Sequence, residues 1–281
     1  MPILQPGIAA ANDPALPPFG ALAPTRAQAA IVSLARRSWL KRGAFRPMLS
    51  QLLNLLRAGP IDVRYQGASF RFYHQASATE RGALFHPDYN LEELDFLRAH
   101  TPRGGVFVDV GANVGTYAMV LARQVGESGK VIAIEPHPVT HERLAFNRGA
   151  SCATQVSLVA AAAGPSDGEL MIETGDNLGA SHVVDGNPLG NAIKVASLRL
   201  QRILHDAGVS HVDALKIDVE GYEDRILIDF FNQAPPSLWP GAVVIEHLSR
   251  NKWLDDCIAD MLTRGYAEAG KTRSNTLLTK P

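Results

Sequence analysis

The sequence is poor in the features that mark several large protein classes. It has two cysteines in 281 residues, Cys152 and Cys257, far apart and outside any CxxC or Cys/His cluster. That excludes a disulfide scaffold and a thiolate zinc site. No run of roughly 18 apolar residues occurs, so no segment reads as a membrane-spanning helix. A basic start followed by an apolar stretch is also missing. Asp13 and the prolines Pro14, Pro17 and Pro18 stand near the N-terminus instead, and with the unpaired cysteines this predicts a cytoplasmic protein. Excess charge is lacking too: the formal net charge is −1 and the pI is near 6.8, which argues against nucleic acid as a partner.

One absence is local. Between Asp13 and Asp62 there is no acid, while Arg26, Arg36, Arg37, Lys41, Arg42, Arg46 and Arg57 supply seven positive charges. Taking those seven from the total of −1 leaves −8 for the rest of the chain.

The length and the 46% hydrophobic content suffice for one large α/β domain with an added segment. Residues 1–24, rich in Pro, Ala and Gly, read as a flexible arm. Residues 25–87 read as a basic helical cap followed by a short β segment. In the cap, apolar residues recur at helical steps, with interruptions at Gly43 and Pro47, giving two short amphipathic helices. The β segment spans Ile61 to Tyr73. The basic 25–57 stretch suits packing on a catalytic domain, or docking on a membrane surface or protein partner.

A helix over Asn90–His100 precedes a change of character after Gly104. Apolar runs (GVFVDV, KVIAIEP, VSLVAAAA, DALKIDV, GAVVIEHL) then alternate with helical stretches near Tyr117–Gln124, Val139–Arg148, from Glu223, and Leu254–Arg264. Strands apolar on both faces and separated by helices predict a doubly wound, mostly parallel sheet. The last segment, Tyr266–Lys280, reads as two strands turning near Ser274 and Asn275.

The strongest local signal is VFVDVGANVGT at 106–116. A strand ending in Asp109 passes through Gly111, Asn113 and Gly115 into a helix, a turn suited to a nucleotide-like cofactor. A dinucleotide fingerprint needs a glycine where Asn113 stands. Asp109 would repel a pyrophosphate and favour the ammonium of S-adenosylmethionine. Glu135 and Pro136 end the second strand, 24 and 25 residues beyond Gly111, where a carboxylate accepts from ribose hydroxyls.

LKIDVEGYE brings Lys216, Asp218 and Glu220 to a third strand end. Alternation puts them on one side, either as a catalytic or substrate-binding cluster or as a structural ion pair such as Lys216 with Glu220. In addition to these, Glu246 and His247 end the next strand, and His247 has a pKa suited to general-base work. Asp218 with Glu246 or His247 could alternatively ligate a divalent cation, although no metal site is the primary expectation. A polar loop containing Asn177, Ser181 and His182 suits a lid, or an ordinary surface loop.

Taken together, VFVDVGANVGTYAMVLA, IAIEPHP, LKIDVEGYEDRIL and VVIEH resemble the FkbM family of methyltransferases over roughly residues 88–280. The resemblance implies a class I methyltransferase (Rossmann-like) sheet of about seven strands with S-adenosylmethionine as donor, in a domain set at 88–281. It implies O-methylation of a hydroxyl on a sugar, glycolipid or secondary metabolite. It also assigns Glu92, beside Tyr89, to the cofactor. Pro165 stands where the family often has an acid, so Ala161 and Ala162 are expected to give backbone or packing contacts only. A nicotinamide-dependent oxidoreductase and a non-catalytic cofactor-binding module are the alternatives.

Overall fold

The computed structural model describes residues 4–5, 16–173, 182–183 and 192–281. After a two-residue strand β1 (Leu4–Gln5), the cap is built from α1 (Arg26–Arg37), α2 (Arg46–Leu56), the hairpin β2 (Ile61–Tyr65) and β3 (Ala68–Phe72), and α3 (Ala78–Phe85). Thr25 starts α1 through a reciprocal capping box with Gln28. Pro47 sits in the first turn of α2, where its missing N–H costs nothing. The hairpin turns at Gln66 and Gly67, both with positive φ, as a tight two-residue turn requires.

Next come α4 (Leu91–His100), β4 (Val106–Val110), α5 (Ala118–Val125), β5 (Lys130–Ile134), α6 (Pro138–Ala150) and β6 (Val156–Val159). An excursion through β7 (Ala162–Gly164), β8 (Gly168–Glu173), β9 (His182–Val183) and β10 (Ala192–Arg199) leads to α7 (Leu200–Asp206). The chain closes with β11 (Ala214–Ile217), α8 (Glu223–Gln233), β12 (Ala242–Glu246), α9 (Cys257–Thr263), β13 (Ala267–Lys271) and β14 (Asn275–Thr279). The last helix begins three residues later than its apolar pattern suggests, because the Asp256 side chain caps it by accepting from Ala259 N.

The main sheet has the order β1-β6-β5-β4-β11-β12-β14-β13. Strands β6, β5, β4, β11 and β12 run parallel, and β14 pairs antiparallel with β12. Apart from β1, which adds antiparallel to β6 at one edge, this is the expected seven-stranded class I sheet. Alternate residues feed two cores. Phe107, Val131, Ala133, Ala214 and Val244 join α4, α5 and the cap on one face. Val108, Val110, Ile132, Leu215 and Ile245 pack with α7, α8 and α9 on the other. The cap thus shares its core with the catalytic sheet.

A second sheet, β7-β10-β8-β9, was not legible in the sequence. The run VSLVAAAA, read as one strand, breaks after Val159, and its second half enters this sheet. The proposed lid residues Asn177 and Ser181 lie outside the described residues, and His182 opens β9.

The first 24 residues are not uniformly loose. The buried pair Asp62–Arg71, with Arg71 Nε donating to Asp62 Oδ1 at 2.7 Å, takes hold of residues 17–22. Arg71 donates to the Pro17 and Pro18 carbonyls, and Asp62 Oδ2 accepts from Gly20 and Leu22 N–H. Buried charges of this kind need every lone pair and proton satisfied, and the arm supplies the partners.

Candidate active site

Strand order reverses between β4 and β11, and a ligand crevice belongs at the carboxyl ends of strands at such a point. A cavity of about 330 Å³ opens there. Residues following β4, β5, β11 and β12 line it, with Tyr89 and Asn90, the start of α3, and Ala162, Ala163, Ile172 and Val183 of the second sheet.

The β4 loop is held open by backbone conformation. Gly111 has φ +74°, and a Cβ there would stand 2.0 Å from the Asp218 carbonyl oxygen, so only glycine lets the β4 and β11 ends approach. Asn113 takes a left-handed conformation with φ 52°, which asparagine tolerates better than most residues. Its N–H donates to Glu135 Oε2 at 2.9 Å. The other Glu135 oxygen accepts from His137 N–H at 2.9 Å. Gly115, by contrast, is not in the cavity wall; a Cβ there would meet Leu144 at 2.6 Å, so this glycine seats α5 against α6.

These residues fit S-adenosylmethionine. Glu135 lines the cavity with both oxygens fixed by backbone donors, leaving lone pairs for two ribose hydroxyls. Pro136, Ile134, Ala162 and Ala163 make an apolar surface beside it for a flat base. Ala161 is fully buried and is not in the cavity wall. Burial pushes the Glu135 carboxyl up to about 7, against the two backbone donors that pull it down.

Asp109 is placed differently from the sequence expectation. It is fully buried and is not in the cavity wall. One oxygen accepts from Ala118 N–H at 3.0 Å, and the other lies 3.6 Å from Lys216 Nζ. Lys216 also donates to the Gly111 carbonyl at 2.9 Å and lies 3.7 Å from Asp218. Burial works to lower the lysine pKa, but the charges of Asp218, Asp109 and Glu135 outweigh it and raise the pKa. The Lys216–Glu220 ion pair considered from sequence does not form; Lys216 turns inward because β11 pairs it in register with Asp109. Glu92 is exposed on the first turn of α4, outside the cavity. Helical phase buries its neighbour Glu93 instead, where it accepts from Asn275 Nδ2 at 2.9 Å.

Lys216, Asp218, Glu220 and Glu246 do converge on the cavity. Strand β11 ends at Ile217, and Glu220 reaches the wall from a turn with φ 59°. Glu246 accepts from Leu248 and Ser249 N–H. Burial, then the neighbouring carboxylates, push Glu220 and Glu246 each up to about 7. Asp218, Glu223 and Glu246 bring carboxylate oxygens within 4.8 Å of one another. Glu223, however, already accepts from Val219 and Gly221 N–H and from Trp253 Nε1, and of these three only Asp218 and Glu246 line the cavity.

His247 does not join them. It follows Glu246 in an extended segment, so the two side chains point to opposite sides. Its Nδ1 lies 3.0 Å from Thr276 Oγ1, and it is absent from the cavity wall. Tyr89, whose ring occupies the space a Cβ at Gly82 would need, lines the cavity with Thr116, Tyr117, Ser249, Ser274 and Asn275. Of these the sequence pointed only to Tyr89 and to the turn near Ser274 and Asn275; the others carry no motif.

Comparison with known proteins identifies the family. The sequence model described as "Methyltransferase FkbM domain" matches residues 109–264, more than half of the chain. The chain is similar to the methyltransferase sdnD of Sordaria araneosa, with 29% identity over 160 residues, 46% of this chain and 61% of that protein. It thus spans about three fifths of that relative's length. Among solved structures it is similar to a putative rRNA methylase from Clostridium thermocellum, at TM-score 0.42 and 12% identity, covering 66% of this chain and 91% of the other. It is also similar to a Pyrococcus abyssi tRNA (uracil-54, C5)-methyltransferase, at TM-score 0.42 and 11% identity, covering 78% of this chain and 43% of that one. The chain belongs to the FkbM methyltransferase family, with S-adenosylmethionine as its cofactor.

Proposed function

We propose that the protein is an O-methyltransferase acting on a hydroxyl of a sugar, glycolipid or secondary metabolite. The observation that carries this reading is that Glu220 and Glu246, both raised to about 7, line the same cavity as Glu135. Strands β5, β4, β11 and β12 are consecutive, so Glu135 and Glu246 stand at strand ends about 14 Å apart by strand spacing alone. That leaves room for a cofactor at one end and an acceptor at the other.

S-adenosylmethionine when bound supplies a methyl group on a sulfonium, displaced in line by an acceptor oxygen. The protein has to orient the acceptor and take its proton. Glu246, raised to about 7, is poised to accept that proton near neutral pH, with Asp218 and Glu220 alongside. The polar groups of Ser249, Ser274 and Asn275 offer hydrogen bonds to further hydroxyls. Three carboxylates around the acceptor end favour a neutral polyol over a nucleic-acid backbone. No helix among the described residues is long and apolar enough to cross a membrane. The two free thiols fit a reducing compartment such as the cytoplasm.

The test is incubation with S-adenosylmethionine and a panel of glycosides, polyketide alcohols, amines and RNA. The readouts are S-adenosylhomocysteine release and the position of the methyl by mass spectrometry. Methyl on an acceptor oxygen is expected; transfer confined to nitrogen, to carbon or to RNA would overturn the assignment.

A further inference from the structure

The cap presents a surface that neither the catalytic cavity nor the fold uses. Of eleven large hydrophobic side chains exposed among the described residues, six fall between Leu34 and Leu56. Helix α2 buries Leu49, Ser50 and Leu53 against the core. It turns Met48, Leu52, Leu55 and Leu56 outward, with Leu55 84% exposed. These recur at steps of three and four, so they form one solvent-facing apolar stripe beside the buried face of the helix. In the segment preceding α2, Trp39 is 58% exposed.

Charge surrounds this face asymmetrically. Exposed Arg37 and Arg42 precede α2, as does half-buried Lys41, 3.7 Å from Asp88; Arg46 opens the helix, and Arg57, which donates to the Leu22 and Pro60 carbonyls, follows it. No acid occurs between Asp13 and Asp62.

We propose that this face of the cap docks on an anionic lipid bilayer. Apolar side chains enter the interface while arginine and lysine meet the headgroups, which is how peripheral amphipathic helices bind. A second copy of this chain fits less well. In a two-fold contact the same cationic rim would face itself. The remaining −8 charge of the chain is repelled by the same bilayer, which orients the protein with its cap toward the membrane.

Orientation matters for the cavity. Helix α2 packs on α3, and α3 contributes Ala78 and Thr79 to the cavity wall. The Arg46 guanidinium lies 5.5 Å from the ring centre of Tyr89, another wall residue. Docking through α2 therefore puts the bilayer one helix away from a wall of the cavity.

The test is sedimentation of the full chain with phosphatidylcholine vesicles, with and without phosphatidylglycerol. Binding to the anionic vesicles, release at high salt and little binding to neutral ones are expected. Leu52→Ser with Leu55→Ser, and separately Arg37→Glu with Arg42→Glu, should each weaken binding by at least about tenfold. Both variants should bind S-adenosylmethionine as the wild type does, which shows that they are folded. The proposal is overturned if the wild type stays in solution with anionic vesicles, or if folded variants sediment as well as it does. It is equally overturned if the wild type is a dimer that the leucine variant dissociates, because the face would then be a self-association surface.

Discussion

Lys216 Nζ lies 3.6 Å from Asp109 and 3.7 Å from Asp218, and so joins a carboxylate sealed beneath the cofactor loop to one that faces the acceptor. Removing the lysine leaves the fully buried Asp109 carboxylate uncompensated. Lys216→Met is expected to lower unfolding free energy by about 3–5 kcal/mol, the usual cost of leaving a buried partner uncompensated. Adding Asp109→Asn should recover part of that loss. Urea denaturation of the two single variants and the double variant measures the coupling.

The raised carboxyls fix the direction of the pH response. A general base must be ionised, so transfer to a hydroxyl is expected to fall as pH drops through about 7, where Glu246 and Glu220 take up protons. Glu246→Gln should cut the transfer rate by about 100-fold or more. Asp218→Asn should shift the acid limb to lower pH, since the neighbouring carboxylate that most raises Glu246 is gone. The pH dependence of kcat/KM distinguishes the two.

The same burial has an effect on stability. Between pH 4.5 and about 7 the folded protein keeps protons on Glu80, Glu135, Glu220 and Glu246 that the unfolded chain releases. Stability of the cofactor-free protein is therefore expected to fall as pH rises through that window. Denaturation midpoints at several pH values check the sign.

His247→Ala should leave transfer within about threefold of wild type and cost about 1 kcal/mol of stability, the worth of one hydrogen bond. Its side chain binds Thr276 outside the cavity. Steady-state kinetics with saturating cofactor decides this.

How much the sequence disclosed depended on what each signal encodes. The β4 loop, Glu135 and the β11 end were legible because strand ends at a reversal of strand order bring charged and small residues to a ligand. The errors were of phase. One residue along an extended segment separates Glu246 in the cavity from His247 outside it. One residue along a helix separates exposed Glu92 from buried Glu93. Asp109 reads from the sequence as a cofactor contact, but it is buried outside the cavity wall because its partner Lys216, 107 residues away, meets it through strand pairing. Strands β8 and β10 escaped notice because their outward residues carry no steady apolar alternation. Pinning of residues 17–22 by Asp62 and Arg71 depends on backbone N–H and carbonyl groups, which no side-chain pattern reports.

The central claim is that this cavity holds S-adenosylmethionine with Glu135 on the ribose. Calorimetric titration of S-adenosylmethionine into the wild type and into Glu135→Ala tests it most directly. One-to-one binding by the wild type, with affinity lower by about tenfold or more in the variant, is the expected result. Binding of NAD in place of S-adenosylmethionine, or equal affinity of the two proteins, would contradict the account.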